Sequence, residues 1–224
     1  MKISVGLEQG PDGSTFAHSL SVPGCVARGP TPEAAVDAFP AVLTDWLRFL
    51  SGIGEAVPPT DQELEIAVDE WLATDADVAA GESDVCFAAD LRTLSDDEIQ
   101  QGLRVLGDLR GMLLAPARRV RDAGIGPEPR QILEELARAQ WWLLSRLGAS
   151  PLAGPQDRTL ARLDTAIALV VQHFTELVPG RRAQRLVLEG EEWTPRKVLR
   201  RLLWLEWALG RAALHTLSPM SGTP

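Results

Sequence analysis

The sequence predicts an α+β protein, a small sheet-and-helix module followed by an all-α four-helix bundle. Three observations carry this. Apolar residues alternate along the first strand-like segment, from Lys2 to Gln9. From Ser95 onward the apolar period changes to the three-to-four spacing of amphipathic helices. Between the two lies an acidic stretch rich in glycine and alanine. A chain of 224 residues accommodates two domains, since domains run to about 100–150 residues. The expected division is a module over 1–72, an acidic linker or arm over 73–94, a bundle over 95–217 and a frayed tail over 218–224.

In the first part, Ile3, Val5 and Leu7 alternate on one face of a strand over Lys2–Gln9. Gln9-Gly10-Pro11-Asp12-Gly13-Ser14 reads as a turn, and a second strand over Thr15–Val22 completes a hairpin. Pro23 to Gly29 reads as a kink or bulge. Thr31 is placed to cap a helix, with Pro32 at the first helical position and Glu33 in the first turn. Ala35, Val36, Phe39, Val42, Leu43, Trp46, Leu47 and Leu50 form its apolar stripe, and Gly52 and Gly54 end it. Pro40 lies inside it, where proline bends helices. Leu64, Ile66 and Val68 suggest a third strand over Glu63–Leu72, Ala73–Ser83 a loop, and Val85–Ala88 a short strand or irregular arm.

In the second part, Ser95-Asp96-Asp97-Glu98 is a capping box. A helix follows to about Val120, with Pro116 near its end. A second runs from about Pro129 to Leu147, and a linker over Gly148–Gln156 leads to a third carrying Leu160, Leu163, Ile167, Val170, Phe174 and Leu177. Pro179-Gly180 stops it. Thr194 and Pro195 open the fourth, with Val198, Leu202, Leu205, Leu209 and Ala212 as its seam. Four amphipathic helices pack naturally as a bundle.

Composition excludes some functions. A net charge of −9 argues against nucleic acid as a general partner, because phosphate binding needs a cationic surface. Apolar runs are broken by charges before the roughly 20 residues a membrane span needs, and no signal peptide is read at the N-terminus, so the expected location is cytoplasmic. Cys25 and Cys86 read as small core residues in a reducing compartment. Charge is uneven: Glu55–Glu98 holds fourteen acids and one base, and Arg181–Arg211 eight bases and four acids. Arg196, Lys197, Arg200 and Arg201 share one face of the fourth helix, read as the outside of the bundle turned toward an acidic patch. Trp141, Trp142, Trp204 and Trp207 are read as divided between core and an association surface, because indole buries area while keeping a donor. No Ser-His-Asp, Cys-His or glycine-rich phosphate loop is present in usable spacing.

The string Val22-Pro23-Gly24-Cys25-Val26-Ala27-Arg28-Gly29 with Thr31-Pro32-Glu33-Ala34-Ala35 resembles the HicB-like antitoxin module. The resemblance implies a small sheet with one helix and the silencing of a small ribonuclease toxin. No ribbon-helix-helix or helix-turn-helix segment of the kind used for autoregulation is read. The segments from Gln131 to Trp142 and from Glu192 to Trp207 resemble the second and fourth helices of DinB-like bundles. That family often holds a divalent metal through three histidines. Here Glu135, Leu205 and Leu209 stand at those positions, and His18, His173 and His215 lie elsewhere. Leucine cannot ligate a metal, so no metal or other cofactor is expected. Arg110, beside the first helix's stripe, and Glu135 are the expected interhelical tether in its place.

The preferred reading is a non-catalytic protein-binding or regulatory protein with a protein partner and a homo-oligomeric state. Two alternatives stay open: an antitoxin neutralising a small toxin-like ribonuclease, and a DinB-like thiol-transferase or small-ligand binder.

Overall fold

The structure, a computed structural model, describes residues 2–58, 64–149 and 158–217. Glu63 at the start of the expected third strand, most of the linker and the tail from Ser218 lie outside the described residues. The fold is mixed α+β and divides into two compact units. One comprises the chain up to Arg92 with Val187–Trp193, and the other Thr93–Leu186 with the chain from Thr194.

The first unit is built on a sheet of four strands, β1 (Lys2–Gln9), β2 (Thr15–Ser19), β3 (Val26–Gly29) and β4 (Glu65–Ala73), in the order β3-β2-β1-β4. The β1–β2 hairpin forms where the alternation predicts it. β2 stops at Ser19, earlier than the expected Val22, and the stretch read as a kink contains the separate strand β3. Antiparallel pairing joins β1 to β2 and β2 to β3, whereas β4 runs parallel to β1. Helix α1 (Pro32–Gly52) makes the crossover that a parallel return requires. Thr31 caps it, accepting from the Ala34 amide at 3.2 Å, and the helix runs on through Pro40.

The register assigns the two faces of the sheet. Ile3, Val5, Leu7, Ala17 and Ala27 share one face, and all five are buried. Gly29 belongs to it, and a Cβ there would lie 2.3 Å from the Ala35 amide nitrogen of α1, so the helix covers this side. Phe16, His18, Gly6 and Glu8 lie on the opposite face. The segment following β4 covers that one: Phe87 lies against Gly6, and Val78 packs beside Gly10. The acidic stretch is thus part of the first unit, with Val78 and Phe87 fully buried in it. A single 3₁₀ turn at Val78–Ala80 stands where a loop was expected; Val85–Phe87 is irregular, the second of the two forms expected for Val85–Ala88, and another 3₁₀ turn follows at Ala88–Leu91.

The second unit holds α2 (Asp96–Gly124), α3 (Pro127–Ser145), α4 (Thr159–Thr175) and α5 (Pro195–Leu217). Ser95 and Glu98 exchange the two hydrogen bonds of a capping box at the head of α2. Thr194 caps α5, accepting from the Lys197 amide at 3.0 Å. Helix α5 packs against α2 and α3, and α4 packs against the same two. Leu113, Leu133, Leu136, Leu163, Ala166 and Ala213 form the centre of the core. Before α5, strands β5 (Leu186–Leu188) and β6 (Glu191–Trp193) make a hairpin that periodicity does not reveal. Its two-residue turn, Glu189-Gly190, has positive φ at both positions (56° and 86°), the hand that fits strand twist. No described helix is long and apolar enough to cross a membrane.

Three glycine substitutions test this packing by thermal unfolding. Gly6→Ala should cost about 1–3 kcal/mol, because its Cβ meets the Phe87 ring at 2.5–2.9 Å. Gly29→Ala should cost more, since the obstructing atoms include backbone of α1. Gly111→Ala, in α2 with open space around it, should instead gain about 0.5–1 kcal/mol from helix propensity.

Candidate functional site

Two clusters of buried polar side chains exist where chemistry would be sought first. In the first unit, Glu8 of β1 and His18 of β2 are completely buried. His18 Nε2 lies 2.9 Å from Glu8 Oε2, the Ser83 hydroxyl donates to the same oxygen at 2.8 Å, and the Asp84 amide donates to Oε1 at 2.9 Å. Phe16 and Phe87 flank the imidazole, with centroids 5.7 and 5.3 Å away. Burial by itself would raise the Glu8 pKa. The hydrogen bonds and charge of His18, with those of Ser83 and Asp84, outweigh it and hold the carboxyl at about 2. Serine, carboxylate and imidazole are therefore present in the wrong order for acyl transfer. The carboxylate stands between the other two, so the serine's proton faces a carboxylate held at about 2, a weak base, and not the imidazole. The cluster ties the segment at 83–85 to the sheet.

In the second unit, Arg110 of α2 reaches all three other helices. Its Nε and Nη2 donate to the two oxygens of Glu206 on α5 at 2.7 and 2.9 Å. Nη2 also donates to Gln140 Oε1 on α3 at 2.9 Å, and Nη1 to the Leu163 carbonyl of α4 at 2.7 Å. Gln140 Nε2 closes the ring on Glu206 Oε2 at 2.5 Å. Arg110, Gln140 and Glu206 are 4%, 0% and 1% exposed. A bidentate guanidinium–carboxylate pair with further hydrogen bonds is the arrangement in which buried charges are tolerated.

The expected tether is corrected in its partner. Arg110 does bridge helices, but to Glu206, while Glu135 is exposed on α3. Glu206 is next to Leu205, and one residue turns a helix face by about 100°. Leu205 and Leu209 are half-buried and pack on the bundle core. A leucine pair and an exposed carboxylate do not fit a metal of the DinB-like kind. Among the described residues, no three His, Cys, Asp or Glu side chains gather as metal ligands would. His215 is exposed on α5, and His173 is half-buried on α4 with its pKa lowered by burial first and then by Arg181.

The basic face of α5 is also corrected. Lys197, Arg200 and Arg201 are 0%, 5% and 6% exposed, so they are not an outer surface. From Pro195 to Trp204 every residue except Arg196 is buried. A helix segment buried all round has no outside for its spacing to reveal. Arg196 is half-buried and grips Glu98 at 2.6 and 2.7 Å, which with the Ser95 bonds holds the Glu98 carboxyl at about 2 against its partial burial. Of the tryptophans, Trp204 is buried and Trp141 packs on the core. Trp142 is 39% exposed, with Arg146 and Arg201 stacked over its ring at 4.7 and 5.2 Å. Trp207 is half-buried under Arg211 at 4.8 Å. Both cysteines are free thiols, and burial pushes Cys25 up to about 12, which keeps it protonated.

What sequence reading missed is on β4. Its pairing with β1 places Ile66, Val68 and Trp71 on the same sheet face as Ile3, Val5 and Leu7. Helix α1 packs on β3 and β2. Val68 and Trp71 are 44% and 54% exposed. The Trp71 indole donates to Gln9 Oε1 at 3.2 Å, which fixes the ring and leaves an apolar plane.

Two measurements test the clusters. Arg110→Met or Glu206→Leu alone should cost about 3–5 kcal/mol in denaturant unfolding, because each strands the other's charge; Arg110→Met/Gln140→Leu/Glu206→Leu together should recover most of that loss. For Glu8, the folded pKa lies below the ordinary 4.5, so the stabilisation is fully present above pH 4.5 and disappears as pH falls toward 2. Unfolding free energies of the wild type and Glu8→Gln should differ by about 3 kcal/mol at neutral pH, with the gap closing in acid.

Compared with models of protein families, with curated proteins and with solved structures, the chain matches none of them.

Proposed function

We propose that the chain is a non-catalytic interaction or regulatory protein. The first unit supplies the recognition surface, and the bundle supplies a rigid scaffold and a second contact, with homo-oligomerisation as its expected use. The observation that carries this reading is the contrast between the chain's polar and apolar groups. Two of its buried carboxylates, Glu8 and Glu206, are engaged by three or more hydrogen bonds each within the protein, whereas Val68 and Trp71 face solvent on an edge strand. A carboxylate with its lone pairs engaged is a poor base, and an exposed aromatic beside an aliphatic side chain is the usual anchor of a protein contact.

A second reading, an antitoxin that neutralises a small ribonuclease, is favoured by the sheet. Four strands in the order β3-β2-β1-β4 with a single helix agree with the small sheet-and-helix arrangement that the HicB-like resemblance implies. The protein would then act by covering the toxin's surface.

Immobilised full-length chain washed with extract of its native host should retain a discrete partner that soluble chain competes away. A clean monomer that retains nothing would overturn the interaction reading. Elemental analysis should find zinc and nickel far below one per chain; stoichiometric metal would reinstate the DinB-like thiol-transferase. Co-expression with a small ribonuclease encoded beside this gene, where there is one, should restore growth under the antitoxin reading only.

A further inference from the structure

If the chain acts through protein contacts, as proposed above, β4 is where its backbone is open to one. β4 is nine residues long and, among the described residues, is paired on one side only, with β1. In such a strand every second residue turns its N–H and C=O away from the sheet, as a template for another strand. Long apolar edges are usually hidden. Here a bulge at Asp69, between the pairs Val5–Val68 and Gly6–Glu70, gives the edge a local twist. On either side of the bulge stand Val68 and Trp71, the apolar side chains left exposed beyond α1.

Charge identifies the occupant. Residues 64–84 contain seven acids and no base. Glu70 is engaged by the Ala88 amide at 2.9 Å, and Asp69 accepts from the Ser4 hydroxyl, but Glu65 and Asp69 remain exposed. A second copy pairing β4 on β4 would set these acids against their equivalents, and like charges facing across strands are destabilising. A basic chain meets the opposite condition. We propose that the β4 edge is a strand-addition site for a short extended segment of a partner protein, one that alternates apolar residues with arginine or lysine. Its backbone pairs with the free edge, its apolar side chains cover Val68 and Trp71, and its cations face Glu65 and Asp69.

The test uses the full-length chain and capped hexapeptides, followed by amide chemical shifts. A peptide alternating arginine and valine should shift amides of β4, and its affinity should fall with salt. Alternating glutamate and valine should not bind, nor should the arginine peptide N-methylated along one edge. Val68→Arg/Trp71→Arg should weaken binding at least about tenfold. Val178→Arg, at a residue 55% exposed in the second unit, should leave it unchanged and controls for folding. Equal binding of the N-methylated peptide, or undiminished binding by the double variant, would overturn the proposal. So would a concentration-dependent dimer that the double variant abolishes, since the occupant would then be a second copy. If the double variant still retains the native partner as well as wild type, the edge is not the site, and the interaction reading survives without it.

Discussion

Of the three carboxylates among the described residues that lie almost completely out of water, Glu8, Asp90 and Glu206, the first and last set the terms for the two units. Glu8 is 0% exposed and Glu206 is 1% exposed. An ion in that position costs several kcal/mol unless its lone pairs are engaged. Each unit meets the requirement by drawing donors from segments far apart in the chain. Glu8 collects His18, Ser83 and the Asp84 amide, so β1, β2 and the segment behind the sheet must be in register before it is satisfied. Glu206 collects Arg110 and Gln140, and Arg110 adds the Leu163 carbonyl, so one guanidinium touches the other three helices. Burying such groups adds little net stability compared with an apolar core of the same shape. What they add is a penalty for helices that slide or strands that slip.

The same saturation bears on chemistry. A general base needs a free lone pair and a pKa near the working pH. Glu8 is held at about 2 with two donors on one oxygen, and its neighbours Ser83 and His18 bond to it and not to each other. The bundle's centre, where helical proteins commonly build cofactor sites, is filled by a guanidinium that offers donors and no lone pair. The polar groups of both clusters fasten distant segments of the chain to one another.

Local signals in the sequence were readable, and long-range ones were not. Thr31, the Ser95–Glu98 box and Thr194 mark helix starts because a cap is decided within four residues. The bundle follows from four periodic stripes. The partner of Arg110 lies 96 residues away, and no spacing rule selects Glu206 over Glu135. Glu206 is the neighbour of Leu205, which the DinB-like resemblance puts at a metal-ligand position, and it lies about 100° round the helix from it. β3 escaped because Val26–Gly29 is four residues long and too short for alternation. The hairpin Leu186–Trp193 escaped for the same reason, with its turn carrying a non-glycine residue at positive φ. The cationic face of α5 misled because burial there is nearly complete around the helix, and a charge pattern carries no information about depth.

The edge of β4 shows how one set of charges can act in two directions. An open strand with Val68 and Trp71 exposed is an invitation to self-association, which proteins resist with charges, bulges and short length. This strand is long, so the work falls on the bulge at Asp69 and on the surrounding acids. Lysine is the common choice for such protection, yet the segment from 64 to 84 has none and relies on carboxylates. Acids repel acids, so a second copy is held off at a distance of order the Debye length, about 8 Å in physiological salt. A basic strand experiences the reverse field over the same range. Protection by a single sign of charge is therefore selective by construction: whatever keeps identical edges apart lowers the barrier for the opposite sign. Had the edge been guarded by a proline, it would have been closed to every partner alike.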